Sequence, residues 1–412
     1  MLFGTDGVRG RAKWLLKSGV ATYVAKALGT ICPASTVVIG TDTRQSSPEI
    51  ERLITSGLIS TGVKALRLGV VPTPAVSFLT KRYGADFGVM ITASHNPPEY
   101  NGIKIFGKDG GKLSAQEELE VENAVLSGKF GYAVGEEIVI KGGVDAYVDY
   151  VASKVNADFS GREVTVDCCH GATGVAARRV FEKLGAKTTV LCGAPSGELV
   201  GVYSGSTNIE YLKGNLQTKV GFAYDGDGDR VMAVADGKVL DGGKILYLLA
   251  KARGEKRVAS TVMANGALED ALEKQGISLE RSDVGDKNLS VLMKEKDIEL
   301  GAEPSGHVIV GKDSTGDGVL ASALFFKYYT DGFFAYDEYP SVMKNVSAPP
   351  AAIFSDETQL AIQEAAELLA GRGRILVRPS GTEPVVRVYA EAKDCDLAQK
   401  AVQKVVNALQ FL

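Results

Sequence analysis

The sequence has few of the features that would direct a chain to a membrane or to an oxidising compartment. Five cysteines are present among 412 residues, an odd number, and none of them forms a Cys-x-x-Cys pair. No apolar stretch approaches the ~18 residues of a membrane span. The first residues, MLFGTDGVRG, lack the charged and apolar regions of a signal peptide. We therefore expect a cytoplasmic protein whose thiols are reduced and mostly buried.

The chain also lacks a large excess of charge of either sign. Lys and Arg number 46 and Asp and Glu number 50, which gives a net charge of −4. A weakly acidic chain without basic runs is a poor candidate for binding nucleic acid or an anionic membrane surface. The content of hydrophobic residues, 45%, is that of an ordinary folded protein. We therefore expect a small molecule as the partner.

One structural unit occurs three times along the sequence. Each copy reads as a strand, a turn rich in Gly, Thr or Asn, an amphipathic helix, a glycine and a second strand. The copies begin near Thr36, Glu163 and Arg257. A βαβ unit of this kind has parallel strands and a right-handed crossover. The pattern predicts an α/β protein with three similar domains, each built on a mixed sheet.

The end of the chain follows a different pattern. After Pro349 and Pro350 the sequence predicts a helix, two strands and a final helix, which is an α+β arrangement. Several compact units favour a ligand site in a cleft between them. We place the domains at residues 1–141, 142–238, 239–345 and 346–412.

The segment Asp225-Gly226-Asp227-Gly228-Asp229 carries the clearest chemical signal. Its carboxylates alternate with glycines between two apolar runs, so the backbone can fold until the side chains converge. Converging carboxylates suit a hard cation such as Mg²⁺ or Ca²⁺. An EF-hand is excluded because Arg230 stands where that loop needs glycine at its sixth position. The segment predicts a metal site with room for water or a phosphate.

Ser94 and His95 follow an apolar strand in the segment ITASHNPP. The Gly-x-Ser-x-Gly pattern of a serine hydrolase is absent, and His95 is too near in sequence to act as a triad base. A serine that accepts a phosphoryl group beside a Mg²⁺ site fits better. A simple Ser/Asn/Pro turn remains an equal alternative for this motif by itself.

Two further loops carry groups suited to a phosphorylated sugar. In GAEPSGH, Glu303 and Ser305 can bind hydroxyl groups, and His307 is a proton shuttle, a ligand, a hydrogen-bond donor or a structural residue. In RPSGTEP the hydroxyls and free backbone amides suit a phosphate, and flanking arginines add forked donors. The predicted phosphate-binding residues are Arg378, Ser380, Gly381, Thr382 and Arg387. The segments GTDGVRG and NGIK each add one cation, Arg9 and Lys104.

Taken in order, the segments GTDGVRG, TASHNP, NGIK, DGDGDR, GAEPSGH and RPSGTEP resemble the α-D-phosphohexomutase superfamily. The resemblance covers nearly the whole chain and implies a heart-shaped enzyme of four domains around a cleft. It implies that Ser94 is carried as phosphoserine and holds one Mg²⁺ together with Asp225, Asp227 and Asp229. Glu303 and Ser305 would bind the sugar, and the RPSGTEP residues would hold the phosphate that does not react. The residues implied at the reacting end are Arg9, His95, Lys104, Arg230 and His307.

The resemblance also implies a reaction. Phosphoserine gives its phosphoryl group to a sugar monophosphate, the resulting 1,6-bisphosphate turns around, and the other phosphoryl group returns to Ser94. Lys104 and His307 are the candidates for proton transfer. Asp6 stands where members that act on hexose phosphates often carry Ser. We therefore expect glucosamine phosphate as the substrate, on the route to UDP-N-acetylglucosamine, with mannose or glucose phosphates as the alternative. A homodimer is expected by resemblance alone.

Overall fold

The computed structural model describes residues 2–4, 6–379 and 385–410. It divides into two compact units. The first unit comprises Met1–Met263 and Ile277–Phe333, and the second comprises Ala264–Gly276 and Phe334–Leu412. Ser380, Gly381 and Thr382, which the sequence predicts to bind phosphate, lie outside the described residues.

The first unit begins with a mixed sheet, called here the N-terminal sheet, that is covered by helices. Its elements are β1 (Val8–Arg11), α1 (Ala12–Lys17), α2 (Val20–Ile31), β2 (Thr36–Thr41), α3 (Ser47–Ile59), β3 (Lys64–Val70), α4 (Thr73–Arg82), β4 (Phe87–Ile91), β5 (Tyr100–Gly107), α5 (Ala115–Ser127) and β6 (Glu136–Val139).

The order of strands in the N-terminal sheet is β1-β5-β4-β2-β3-β6. Val37, Val38 and Ile39 of β2 are fully buried, as a strand covered on both faces requires. Strands β2 and β4 run parallel, and Thr41 pairs with Ile91 at their carboxyl ends. The loops that follow these two strands are therefore neighbours, and the second of them carries Ser94.

The next part of the first unit carries a second mixed sheet, in the order β11-β10-β9-β7-β8. Strands β9 and β10 form an antiparallel hairpin in which Tyr224 pairs with Val231. The turn of this hairpin is the aspartate-rich segment, between the apolar runs that the sequence predicted as strands. The elements are α6 (Gly143–Val155), β7 (Glu163–Asp167), a 3₁₀ turn (Ala172–Val175), α7 (Ala177–Lys183), β8 (Lys187–Leu191), α8 (Ile209–Asn215), β9 (Val220–Tyr224), β10 (Val231–Ala235) and β11 (Lys238–Leu240).

A third mixed sheet has the order β13-β12-β14-β15. The elements are α9 (Gly242–Arg253), β12 (Arg257–Thr261), α10 (Gly266–Glu273), β13 (Ser278–Ser282), α11 (Asp286–Lys296), β14 (Leu300–Ala302), β15 (Val308–Val310) and α12 (Gly318–Tyr328). Of these, α10, which connects β12 to β13 along the chain, belongs to the second unit. Strands joined by the predicted crossovers are parallel in all three sheets, which confirms the repeated βαβ pattern.

Helix α12 holds the second and third sheets together. Phe325 and Phe326 are buried, and their rings meet Phe222 edge to face, with centroids 5.7 and 6.5 Å away. At the start of the helix, the Gly318 amide donates to the Gly228 carbonyl in the aspartate turn, at 3.1 Å. The aspartate turn is thus fixed to a helix of the neighbouring sheet as well as to its own hairpin.

The second unit is an α+β layer, as the sequence predicted. Helices α13 and α14 cover an antiparallel sheet in the order β16-β18-β17. Strand β16 was not predicted from the sequence, because its side chains are mostly exposed and give no clear alternation of burial. The elements are β16 (Ser341–Val346), a 3₁₀ turn (Pro350–Phe354), α13 (Asp356–Leu369), β17 (Gly373–Pro379), β18 (Val386–Ala392) and α14 (Cys395–Gln410). Of the helices in the described ranges, none is both long enough and apolar enough to cross a membrane.

Candidate active site

The turn between β9 and β10 brings Asp225, Asp227 and Asp229 together, with one carboxylate oxygen of each within 4.8 Å of the others. The exposed fraction of each residue is 2% or less. Gly226 is required here because a Cβ atom would lie 2.6 Å from the Ser94 carbonyl oxygen. Gly228 adopts a left-handed conformation with φ of 74°. The two glycines therefore allow the turn both to fold back and to approach the Ser94 loop.

The charges of this turn match a divalent cation. Burial and the neighbouring Asp229 and Asp227 carboxylates raise the pKa of Asp225 well above its usual value. Among the described residues, Asp227 Oδ1 and Asp229 Oδ1 are buried without a hydrogen-bond partner. Buried carboxylate oxygens are costly unless a donor or a metal satisfies them. The three aspartates therefore fit a hard cation such as Mg²⁺.

Ser94 faces the same carboxylates from the loop after β4. Its Oγ donates to Asp225 Oδ2 at 2.6 Å and lies 3.3 Å from His95 Nδ1. Ser94 is buried and has φ of 54°, a conformation that a residue other than glycine rarely adopts. Strained backbone of this kind persists where the surroundings enforce it and is concentrated at functional sites.

Arg44 holds Ser94 in this left-handed conformation. It was not predicted from the sequence as a functional residue. Its side chain is fully buried and donates to the carbonyls of Ser94, Asn96, Pro97 and Tyr100 at 2.6–2.9 Å. Its Nε donates to Asp42 Oδ2 at 2.9 Å. The sequence shows Arg44 only as the end of a βα turn. One signal could have identified Arg44 as a functional residue. It follows β2, which runs parallel to and beside β4, the strand that precedes Ser94.

Lys104, on β5, reaches the aspartates from the N-terminal sheet. Its Nζ lies 2.9 Å from Asp227 Oδ2, 2.7 Å from Asp229 Oδ2 and 3.1 Å from Asp6 Oδ2. Burial alone would lower the pKa of Lys104, but these carboxylates raise it well above its usual value. Lys104 is therefore a buried ammonium group that offsets part of the negative charge of the turn.

Asp6 is the centre of a second group of charges. It forms ion pairs with Arg9, Lys104 and Lys112. Against the effect of burial, Lys104, Lys112 and Arg9 hold its pKa well below the usual value. Lys112 also pairs with Asp286, the first residue of α11. Lys112 and Asp286 were not predicted from the sequence, because neither lies in a motif and the fold alone brings them together.

The two histidines of the predicted reacting end differ in environment. Burial, Arg230 and Arg9 lower the pKa of His95 to about 4, so its ring is neutral near pH 7. The His307 ring is buried, and its Nε2 accepts from the Gly316 amide at 3.2 Å. Burial would lower the pKa of His307, but Asp229 and Asp286 raise it. In its neutral form His307 therefore carries the proton on Nδ1, which lies 3.9 Å from Asp229 Oδ2.

The predicted sugar-binding residues lie in the turn between β14 and β15. Glu303 is buried, and its Oε1 accepts from the Gly285 amide at 3.3 Å. Ser305 is exposed, and its Oγ donates to Glu303 Oε2 at 3.4 Å. The Val231 amide donates to the Gly306 carbonyl at 2.9 Å. This backbone contact joins the sugar loop to the strand that leaves the aspartate turn.

In the second unit, Arg378 and Arg387 face each other across β17 and β18. Both are half-buried. Burial and the nearby Arg387 lower the pKa of Arg378. Like charges at directly opposite positions on a sheet repel each other unless an anion lies between them. The pair is therefore suited to a phosphate group.

Comparisons with known proteins match nearly the whole chain to one family. Four family models match, described as phosphoglucomutase/phosphomannomutase alpha/beta/alpha domain I at residues 1–131, domain II at 145–238, domain III at 241–333 and the C-terminal domain at 335–408. A phosphoglucosamine mutase of Anoxybacillus flavithermus is 39% identical over 99% of this chain and 98% of its own length.

Two solved structures share the fold. A phosphoglucomutase/phosphomannomutase family protein from Burkholderia thailandensis has a TM-score of 0.86 at 22% identity and covers 100% of this chain and 97% of its own. The N-acetylphosphoglucosamine mutase of Aspergillus fumigatus, in complex with GlcNAc-6P and magnesium, has a TM-score of 0.68 at 18% identity. It covers 100% of this chain and 96% of its own.

Proposed function

The chain belongs to the phosphoglucomutase/phosphomannomutase family, and we propose that it is an isomerase that interconverts glucosamine 6-phosphate and glucosamine 1-phosphate. The observation that carries the proposal is the position of Ser94 Oγ, 2.6 Å from a buried carboxylate in a cluster of three aspartates. Full-length identity of 39% to a phosphoglucosamine mutase supports glucosamine as the sugar.

The reaction passes through a phosphorylated Ser94. The bond between phosphorus and Ser94 Oγ breaks as a bond to the free hydroxyl oxygen of the sugar monophosphate forms, which gives a 1,6-bisphosphate. The second phosphoryl group then returns to Ser94 after the sugar has turned around. Arg44 keeps Ser94 fixed during both transfers, since its guanidinium binds the carbonyls of the Ser94 loop. Such positioning accounts for much of phosphoryl-transfer catalysis.

Asp225, Asp227 and Asp229 would hold one Mg²⁺ together with the phosphoserine. The ion supplies positive charge that stabilises the transferring phosphoryl group. The orphaned oxygens Asp227 Oδ1 and Asp229 Oδ1 support this assignment. Thr73 fixes one ligand, because its Oγ1 donates to Asp227 Oδ2 at 2.5 Å.

The remaining charged groups have roles at the two ends of the sugar phosphate. Arg9, His95 and Arg230 line the reacting end, and Lys104 and His307 are the candidates for proton transfer: Lys104, as an ammonium group, can only give a proton, whereas His307 in its neutral form can take one. Glu303 and Ser305 bind sugar hydroxyls. Arg378 and Arg387, with the predicted Ser380, Gly381 and Thr382, hold the phosphate that does not react. The domain boundaries, the homodimer and the cytoplasmic location stay predictions.

A ³¹P NMR time course tests the proposal. Purified protein with Mg²⁺ and a trace of sugar 1,6-bisphosphate is given glucosamine 6-phosphate, and glucose and mannose phosphates in parallel. We expect the 1-phosphate signal to grow fastest from glucosamine 6-phosphate. The Ser94→Ala variant abolishes this growth, whereas Ser153→Ala, at an exposed serine of α6, leaves it unchanged. Faster conversion of glucose or mannose phosphate would refute the glucosamine assignment, and full activity of Ser94→Ala would refute the phosphoserine.

A further inference from the structure

A chain of largely buried ion pairs runs through the first unit from Asp286 to Lys112, Asp6 and Lys104. Its members come from the start of α11, the segment after β5, the segment before β1 and β5 itself. The side chains of Lys112, Asp6 and Asp286 are 12%, 15% and 12% exposed. This ion-pair chain is therefore shielded from water, unlike most surface ion pairs.

Lys112 is the link that joins the two ends of the ion-pair chain. On one side it binds Asp6, whose carboxylate also holds Lys104. Among the described residues, Asp6 is the ion-pair partner of Lys104 that lies outside the aspartate turn. Asp6 can therefore hold the Lys104 ammonium when Asp227 and Asp229 are engaged by a cation.

On its other side Lys112 binds Asp286, and Asp286 Oδ2 lies 3.9 Å from His307 Nε2. Lys112 thus lies between two carboxylates. Asp6 is next to Lys104 and Asp286 is next to His307, and Lys104 and His307 are the two candidates for proton transfer. Those two residues come from different sheets, so their separation depends on contacts between the sheets. A buried ammonium between two carboxylates fixes that separation more firmly than an exposed ion pair can.

We propose that Lys112 is a positioning residue for phosphoryl transfer: by joining Asp6 to Asp286 it sets the relative placement of Lys104 and His307. Lys112 itself does not bind the reacting groups. The inference rests on the proposed mutase function and extends it to a residue outside the sequence motifs.

The test compares Lys112→Met with a matched control, Lys294→Met. Lys294 also joins α11 to the segment after β5, through Asp109 at 2.7 Å, but these side chains are 40% and 50% exposed. We expect Lys112→Met to lower kcat by about 100-fold, the effect of misplacing catalytic groups by about 1 Å. The KM for glucosamine 6-phosphate should stay nearly constant, because no substrate contact is lost. Lys294→Met should retain the wild-type kcat.

Two further variants separate positioning from simple stabilisation of the fold. Lys112→Arg keeps the positive charge and replaces the ammonium group with a forked guanidinium that can donate to both carboxylates, so it should recover at least about tenfold in kcat over Lys112→Met. In Lys112→Met/Asp286→Asn the uncompensated carboxylate is gone, and its loss in kcat should be smaller than the product of the two single losses. Circular dichroism and thermal midpoints accompany each variant.

The proposal is overturned if Lys112→Met keeps the wild-type kcat or if Lys294→Met loses as much kcat as Lys112→Met. It is also overturned if Lys112→Met raises KM without lowering kcat. Should Lys112→Met not fold, Asp286→Asn decides by itself: it should lower kcat about tenfold at constant KM, and an unchanged kcat overturns the proposal. A wild-type protein that converts no sugar phosphate would instead refute the proposed function.

Discussion

Replacing Arg44 with methionine should destabilise the N-terminal sheet and displace the Ser94 loop. The change removes a buried guanidinium that donates to Asp42 and to carbonyl groups of Ser94, Asn96 and Pro97. Asp42 is left buried and without its ion-pair partner. Removing one member of a buried ion pair typically costs about 3–5 kcal/mol. Since buried carbonyls also lose donors, we expect a cost in the upper part of that range.

Protonation of Asp42 limits the loss of stability in Arg44→Met. Burial already raises the pKa of Asp42 above its usual value, against the opposing effect of Arg44. Without Arg44 the carboxyl group can take up a proton and avoid the full penalty of a buried charge. Arg44→Met/Asp42→Asn should therefore be more stable than Arg44→Met, because the carboxylate charge has been removed as well.

The assay is urea unfolding followed by tryptophan fluorescence. Trp14 is the one tryptophan of the chain, and its ring lies where a Cβ atom on Gly10 of β1 would approach it to 2.7 Å, so the signal reports on the N-terminal sheet, in which the loop after β2 carries Arg44. Arg52→Met is the matched control, since Arg52 lies in the adjacent helix α3 with its side chain 69% exposed. We expect a change below about 0.5 kcal/mol for this control. A loss of less than about 1 kcal/mol in Arg44→Met would refute the reasoning.

Three other predictions follow from the site and its surroundings. Asp227→Asn should raise the Mg²⁺ concentration needed for half-maximal rate, because a metal ligand loses its charge; an unchanged Mg²⁺ titration would argue against this site. Arg387→Ala should raise KM more than it lowers kcat, because a phosphate contact is lost before and during reaction alike; steady-state kinetics with both constants unaltered would remove Arg387 from the phosphate site. Asp317→Asn should remove one contribution to the pH dependence of the free energy of unfolding. Burial raises the pKa of Asp317 to about 6, so protonation of the native state stabilises wild type at low pH. This stabilisation, up to about 3 kcal/mol, is lost as pH rises through 6. Urea unfolding at pH 4 and pH 7 should show a smaller loss in the variant than in wild type, and equal pH profiles would contradict the prediction.

Sequence patterns predicted the parts of the fold that depend on local order. Periodicity and turn residues predicted the βαβ units and the helix after Pro349 and Pro350, which is α13. Strand β16 was not predicted because its side chains show no clear alternation of burial and its place is set by pairing with β18, which is distant along the chain. Family membership, predicted from six motifs, is confirmed by family models that cover each part of the chain.

The sequence by itself determined the chemistry of each loop, because aspartates spaced by glycines or a serine after an apolar strand need no distant partner to be recognised. Only the tertiary structure decided which of these loops meet. Ser94 reaches Asp225 across 131 positions of sequence, and Lys112 reaches Asp286 across 174. Arg44, Lys112 and Asp286 have no local signature, since an isolated charged residue in a sequence resembles a solvated surface group. Burial and partners make them functional, and both are set by how the sheets pack.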